Sequence, residues 1–160
     1  MKIRPAKVND VKAIHALIGF YAERKEMLPR PINDLYENIQ ELVVAEDKGK
    51  VIACCALHVS WEDLAEVKAL AVDQHYHHKG IGTKIVSTLE KRAKELGINR
   101  VFALTFKPPF FKQLGYKQIK RESLPHKIWG ECVKCHLFPD CGETPLIKDL
   151  APLTKIKKKK

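Results

Sequence analysis

Apolar residues fall at helical spacing at Val11, Ile14, Leu17, Ile18 and Tyr21, directly after the cap-type residues Asn9 and Asp10. An amphipathic helix is predicted there, closed by Arg24-Lys25-Glu26. Met1 to Val8 reads as a strand before it, with Pro5 at its edge or end. Leu28-Pro29-Arg30-Pro31 must be extended or turned, because each proline disfavours helix for its predecessor. A second helix through Leu35, Ile39 and Leu42, capped by Asn33 or Asp34, leads into a strand from Val43 to Ala45. Asp47-Lys48-Gly49-Lys50 is a hairpin-like turn into a mostly apolar strand from Val51 to Val59, and Trp61-Glu62-Asp63 links this strand to the next.

Glu66 to Val72 carries Val67, Ala69 and Ala71 on one face and Leu70 and Val72 on the other, which predicts a strand buried between layers. A polar, histidine-rich loop follows and ends in Gly80-Ile81-Gly82. Then Ile81, Ile85, Val86, Leu89, Ala93 and Leu96 recur at helical spacing, with Gly97 as the stop. Strand, glycine loop and helix in series place a row of backbone N–H groups at a helix start, where small residues and the helix dipole suit a phosphate. The loop lacks the G-x-x-x-x-G-K-[ST] spacing of a Walker A motif. It also departs from G-x-G-x-x-G, since Ile85 stands at the third position after Gly82. Beyond this helix the pattern predicts a strand from Arg100 to Phe106, a short helix from Phe110 to Leu114 opened by Pro108-Pro109, and a strand from Tyr116 to Ile119.

The 160 residues suit one domain, taken as 1–150, with a basic, disordered tail over 151–160. The formal charge is +10, and Lys155 with Lys157 to Lys160 supply half of it. Such a run is ordinarily a solvated end, and the rest of the excess suits a polyanionic ligand. No apolar run approaches the roughly 18–20 residues that cross a bilayer, and Met1-Lys2-Ile3-Arg4 does not open a signal peptide. A soluble cytoplasmic protein with no membrane partner is the expectation. Five cysteines in such a chain argue against a disulfide framework. Cys132, Cys135 and Cys141 are spaced as three soft ligands of a structural zinc, for which His126, His136, Cys54 or Cys55 could be the fourth; reduced thiols are the equal alternative.

Residues 66–96 resemble the acetyl-CoA-binding motif of the GNAT superfamily of N-acetyltransferases, Q/R-x-x-G-x-G/A, here His77-His78-Lys79-Gly80-Ile81-Gly82 with histidine in the first place. Four segments, Leu28 to Pro31, Leu64 to Val72, Val101 to Thr105 and Leu124 to Trp129, are similar to the short, free-standing bacterial N-acetylglutamate synthases. The resemblance implies the GNAT fold, of α/β (α+β) class, with a mixed central sheet of about six to seven strands flanked by helices. It implies acetyl transfer from acetyl-CoA to the amine of an amino acid, L-glutamate above all, as the entry step of arginine biosynthesis.

It also implies site residues. Coenzyme contacts would come from Leu70, Ala71, Val72, His77, His78, Lys79, Gly80, Ile81, Gly82 and Thr83, with the backbone N–H groups of 70–72 polarising the thioester carbonyl. Glu66 would be the general base, acting through water; from spacing alone it could equally be a strand-end carboxylate paired with Lys68 on the same face. Arg30, Lys68 and Lys127 would clamp a dicarboxylate acceptor, Arg30 best because its planar fork can bind both oxygens. Phe111 stands where a tyrosine often protonates the departing thiolate, and Tyr116 reads as packing. Two other readings stay open. One keeps the enzyme and changes the acceptor to another small amine or a protein N-terminus. The other is a zinc-stabilised module whose tail binds nucleic acid. A homodimer is compatible with all of them.

Overall fold

The computed structural model describes residues 1–124 and 142–151. Strand β1 (Lys2–Pro5) leads through a 3-10 turn into α1 (Val11–Glu23), then α2 (Ile32–Glu37), β2 (Leu42–Asp47), β3 (Lys50–Trp61) and β4 (Leu64–Val72). There follow α3 (Ile81–Glu95), β5 (Arg100–Thr105), α4 (Pro108–Gln113), β6 (Lys117–Gln118) and β7 (Thr144–Asp149). The seven strands form one mixed sheet in the order β1-β2-β3-β4-β5-β7-β6, with only β4 and β5 parallel. This is the expected α/β architecture.

Helices cover both faces. The buried stripe of α1 (Val11, Ile14, Ile18, Tyr21) packs with Leu35, Val44, Cys54 and Ala71. The stripe of α3 (Ile81, Ile85, Val86, Leu89, Ala93) packs on the other face with Val43, Ile52, Val67 and Val101. β2, β3 and β4 therefore carry apolar residues on both sides, which is why their sequences read as near-continuous hydrophobic runs.

Three expectations need correction. The second helix ends at Glu37; Leu42 starts β2 and pairs with Ala56, because the sheet offers it a full ladder where a short helix offers one turn. A strand at Thr144–Asp149, inserted between β5 and β6, was not foreseen, since Pro145 reads as a strand breaker. The third correction concerns β4, whose alternation is interrupted. Cys54 pairs with Ala71 while Ala56 pairs with Lys68, so Ala69 and Leu70 lie opposite Cys55 alone. Ala69 takes the left-handed conformation (φ 57°) that such a bulge accommodates. In consequence Val67 shares its side of the sheet with Leu70 and Val72, while Ala69 and Ala71 face α1. The predicted partition of these side chains fails at that one inserted residue.

Candidate active site

The β4–β5 pairing consists of Ala65 with Val101 and Glu66 with Phe102, and ends there. Past Glu66 the two strands diverge, while β5 keeps its other edge on β7 from Arg100 to Thr105. The gap is a cleft of about 700 Å³. One wall is β4 from Glu66 to Val72, the other the end of β5 and α4, including Thr105, Phe110 and Phe111. The segment Glu26 to Arg30 covers one end, and the start of α3 forms the other.

At that end Gly80 adopts φ 76° and His78 φ 63°, turning the loop into α3. The first bond of the helix runs from Lys84 N–H to Gly80 C=O (3.1 Å), so the N–H groups of Ile81, Gly82 and Thr83 precede the helical ladder, and all three residues border the cleft. Gly82 allows a close approach. A Cβ there would lie 3.2 and 3.3 Å from carbons of the Phe110 ring. With the helix dipole behind them, these amides make a site for an anionic group.

The backbone of β4 contributes more amides. Asp73 N–H donates to Ile52 C=O (2.8 Å), and Ala71 pairs with Cys54. By alternation the N–H and C=O of Leu70 and Val72 then point away from β3, toward the gap. Strand amides turned away from β3 and toward a cleft are the fixed dipoles that an oxyanion requires.

Glu66, at the apex where the strands part, is 8% exposed and borders the cleft. Arg30, with its side chain 13% exposed, donates from Nε to Asp34 Oδ2 (2.6 Å). Its Nη1 is buried and has no hydrogen-bond partner among the described residues. A buried guanidinium N–H without an acceptor costs on the order of 1–3 kcal/mol, which an incoming carboxylate would offset. Lys68 also borders the cleft. Across the opening, Lys107 Nζ binds Glu26 Oε1 (2.7 Å), and this contact holds the Glu26 carboxyl below its ordinary pKa.

The structure thus brings Glu66, Lys68, Arg30, the β4 backbone of 70–72, and His77, His78, Gly80, Ile81, Gly82 and Thr83 to one cavity. Lys79 lies off its wall, with Nζ 5.4 Å from the Tyr76 ring centre. The ring Nε2 of His77 is turned inward, 2.9 Å from Val72 C=O and 2.8 Å from the Tyr21 hydroxyl. Lys127, Cys132, Cys135 and Cys141 lie outside the described residues, as do His126 and His136. Among the described residues no group of three or more His, Cys, Asp or Glu could hold a metal.

Cys54 and Cys55 do not suit a fourth zinc position. Both are fully buried in β3, in the cores on opposite faces of the sheet, where the Cys54 thiol donates to Ala69 C=O (3.5 Å) and the Cys55 thiol to Lys68 C=O (3.4 Å), and burial raises the pKa of each. Phe111 packs edge-on against Phe110 and Tyr116. The Tyr116 hydroxyl donates to Glu90 Oε2 (2.8 Å), and burial followed by that carboxylate raises its pKa far above the ordinary phenol. Neither supplies a proton to the cleft. No helix of the described residues is long and apolar enough to cross a membrane.

Sequence reasoning missed Tyr21 and Phe110. The first reads as one more apolar position of α1, and the second as one of two adjacent phenylalanines. Only the closeness of Gly82 to the α4 ring singles out Phe110.

Known proteins agree with this geometry. The model of the acetyltransferase (GNAT) family matches residues 9–116. An uncharacterised N-acetyltransferase of Chlorobaculum tepidum is 39% identical over 148 residues, 92% of this chain and 96% of the relative. An amino-acid acetyltransferase of Mycobacterium tuberculosis is 39% identical over 137 residues, 84% of this chain and 78% of that one. The crystal structure of N-acetylglutamate synthase from Neisseria gonorrhoeae, complexed with coenzyme A and N-acetyl-glutamate, matches with TM-score 0.86 and 26% identity. That match covers 94% of this chain and 35% of the gonococcal one, so the chain corresponds to about a third of that enzyme. The splayed strands, the open start of α3 and these likenesses converge: the chain belongs to the acetyltransferase (GNAT) family and is an N-acetyltransferase.

Proposed function

We propose that the protein transfers the acetyl group of acetyl-CoA to the α-amine of L-glutamate, yielding N-acetyl-L-glutamate and CoA for arginine biosynthesis in the cytoplasm. The observation that carries the acceptor is Arg30, which lines the cleft that holds Glu66 and whose buried Nη1 has no hydrogen-bond partner among the described residues. The relative named as an amino-acid acetyltransferase and the synthase complexed with N-acetyl-glutamate support the same reading.

In this reading the coenzyme's diphosphate lies on the amides of residues 80–83, and its pantetheine arm runs along the gap between β4 and β5. The acetyl carbonyl meets the β4 amides of Leu70 and Val72. Arg30 and Lys68 take the carboxylates of glutamate, and Lys127 is assigned to the same task. Glu66 removes a proton from the ammonium through water. The free amine nitrogen then attacks the thioester carbon, the oxyanion forms against the β4 N–H groups, the C–S bond breaks as the oxyanion collapses, and the second proton shed by the nitrogen passes through water to the departing thiolate. Alignment of the two substrates can contribute roughly 7–11 kcal/mol, so one base and a few amides suffice.

A thiol-release assay with acetyl-CoA across the free amino acids tests this. Glutamate should give the clearest response. Arg30→Ala should lower kcat/KM for glutamate by about 10- to 100-fold, the worth of a charge-assisted bond at 1.5–3 kcal/mol. Glu66→Gln should lower kcat by about 10²-fold or more. Turnover of peptides alone, or full glutamate activity in Arg30→Ala, would refute the glutamate assignment.

A further inference from the structure

The carbonyl of Val72 faces the gap, where β5 has already diverged and cannot pair with it. It is not left bare. The Tyr21 hydroxyl, from α1, donates to it, and His77 Nε2 lies 2.9 Å from the same oxygen and 2.8 Å from Tyr21 Oη. A carbonyl oxygen can only accept, so Nε2 carries the hydrogen. The Tyr21 proton goes to Val72, and the His77 N–H is shared between that carbonyl and the phenol oxygen. The two rings stack at 6.1 Å with an interplanar angle of 16°. Tyr21 is 8% exposed, and burial raises its pKa, so it stays a donor.

The contact joins positions that are 56 residues apart, and its location is what gives it meaning. Val72 ends β4. Five residues later His77 opens the segment whose left-handed turns at His78 and Gly80 aim the amides of α3. A turn capped by Asp73, with His75 N–H on Asp73 Oδ1 at 2.9 Å, fills the interval. The loop is therefore pinned at its root to a strand end and to the last turn of α1.

We propose that His77 and Tyr21 are positioning residues of the coenzyme site: their shared clamp on the Val72 carbonyl, at the border of the cleft, holds the loop in the one geometry that presents the amides of 80–83, and they act through that loop rather than on the reacting atoms. This rests on reading the start of α3 as the diphosphate site. A loop that spends only a tenth of its time in the competent geometry binds about tenfold more weakly, with the chemical step unaffected once coenzyme is bound.

Calorimetric titration of the full chain with CoA, paired with steady-state kinetics, tests the clamp. His77→Ala and Tyr21→Phe should each weaken CoA binding by about five- to tenfold, with kcat at saturation changed less than about threefold. His77→Gln, whose amide N–H reaches about as far as Nε2, should recover most of the affinity. The double variant should bind no more weakly than the worse single one, because both remove one contact. The salt dependence of CoA binding should keep its slope in His77→Ala, since no phosphate-contacting charge is lost. Wild-type affinity in both single variants, additive losses, failure of His77→Gln to rescue, or a shallower salt slope would overturn the clamp while leaving the diphosphate site standing. Absence of CoA binding by the wild type would instead remove the site itself.

Discussion

At the scale of single residues, the two glycines of the loop do different work, and substitution should separate them. Gly80 sits at φ 76° with open space around its missing Cβ, so alanine there meets only the backbone preference, about 1–2 kcal/mol. Asparagine, which tolerates the left-handed region, should cost less. Gly82 has an ordinary backbone, but a Cβ would press on the Phe110 ring at 3.2 Å while meeting Val72 at an ordinary 3.8 Å. Gly82→Ala must therefore displace the Phe110 ring, which borders the coenzyme cleft. We expect Gly80→Ala to lower the unfolding free energy in denaturant titrations and Gly82→Ala to raise KM for acetyl-CoA several-fold, with Phe110→Leu relieving only the second. The need for both glycines was legible in the sequence, because strand, glycine loop and amphipathic helix follow one another without a break. The ring that makes the second one necessary was not, since Phe110 comes 28 residues later and nothing local points it at the loop.

At the scale of elements, the bulge in β4 decides which side chains and amides reach the cleft. Without the extra residue Leu70 and Val72 would turn to the α1 face, and the strand would present different amides to the gap. The device has a cost, because Ala69 carries a positive φ of 57°. Ala69→Gly removes that cost and adds a comparable loss of chain entropy, so stability should change by less than about 1 kcal/mol. Ala69→Val puts a β-branched residue where it is a genuine outlier, and should lose about 2 kcal/mol or more and, with the bulge disturbed, most of the acetyl transfer. Urea titration with parallel thiol-release rates checks both; an active, fully stable Ala69→Val would mean that the bulge is not needed for catalysis. The bulge could not be read in advance because small and apolar residues occupy both faces of β4, leaving no polar position to mark the slip. β7 was hidden for a related reason. Its partner β5 lies some 40 residues earlier, and Pro145 argues against a strand unless that partner is known. Elements that carry their own signal (α1, α3, the turn at Gly49) were legible; those defined by a distant partner were not.

At the scale of the whole molecule, the order of the sheet places the first strand at the edge opposite β7 and β6, away from the cleft, where packing alone holds it weakly. A polar knot ties it down. Arg4 on β1 donates from Nε to Glu46 on β2 (2.8 Å) and from Nη1 and Nη2 to Asp10 (2.8 and 3.0 Å), just before α1. Asp10 also accepts from Lys7 N–H (2.7 Å) and is 7% exposed. The Arg4 hydrogen bonds hold the Asp10 carboxyl below its ordinary pKa, against the opposing effect of burial. Since the folded pKa is depressed, the unfolded chain takes up this proton first as pH falls. The stabilisation is therefore complete above the unfolded value of about 3.9, and is lost as pH drops from there through the lower folded value. Asp10→Asn should cost roughly 2–3 kcal/mol at pH 7, the scale of charged hydrogen bonds broken in a half-buried site. In urea titrations from pH 7 to pH 2, the gap between wild type and Asp10→Asn should stay constant down to about pH 4 and then close. KM for both substrates should not move at pH 7, because the knot lies outside the cleft. A gap that persists unchanged at pH 2 would show that Asp10 acts through shape rather than charge. A gap that widens as pH falls through about 6 would mean that its carboxyl is raised, not lowered, in the folded protein.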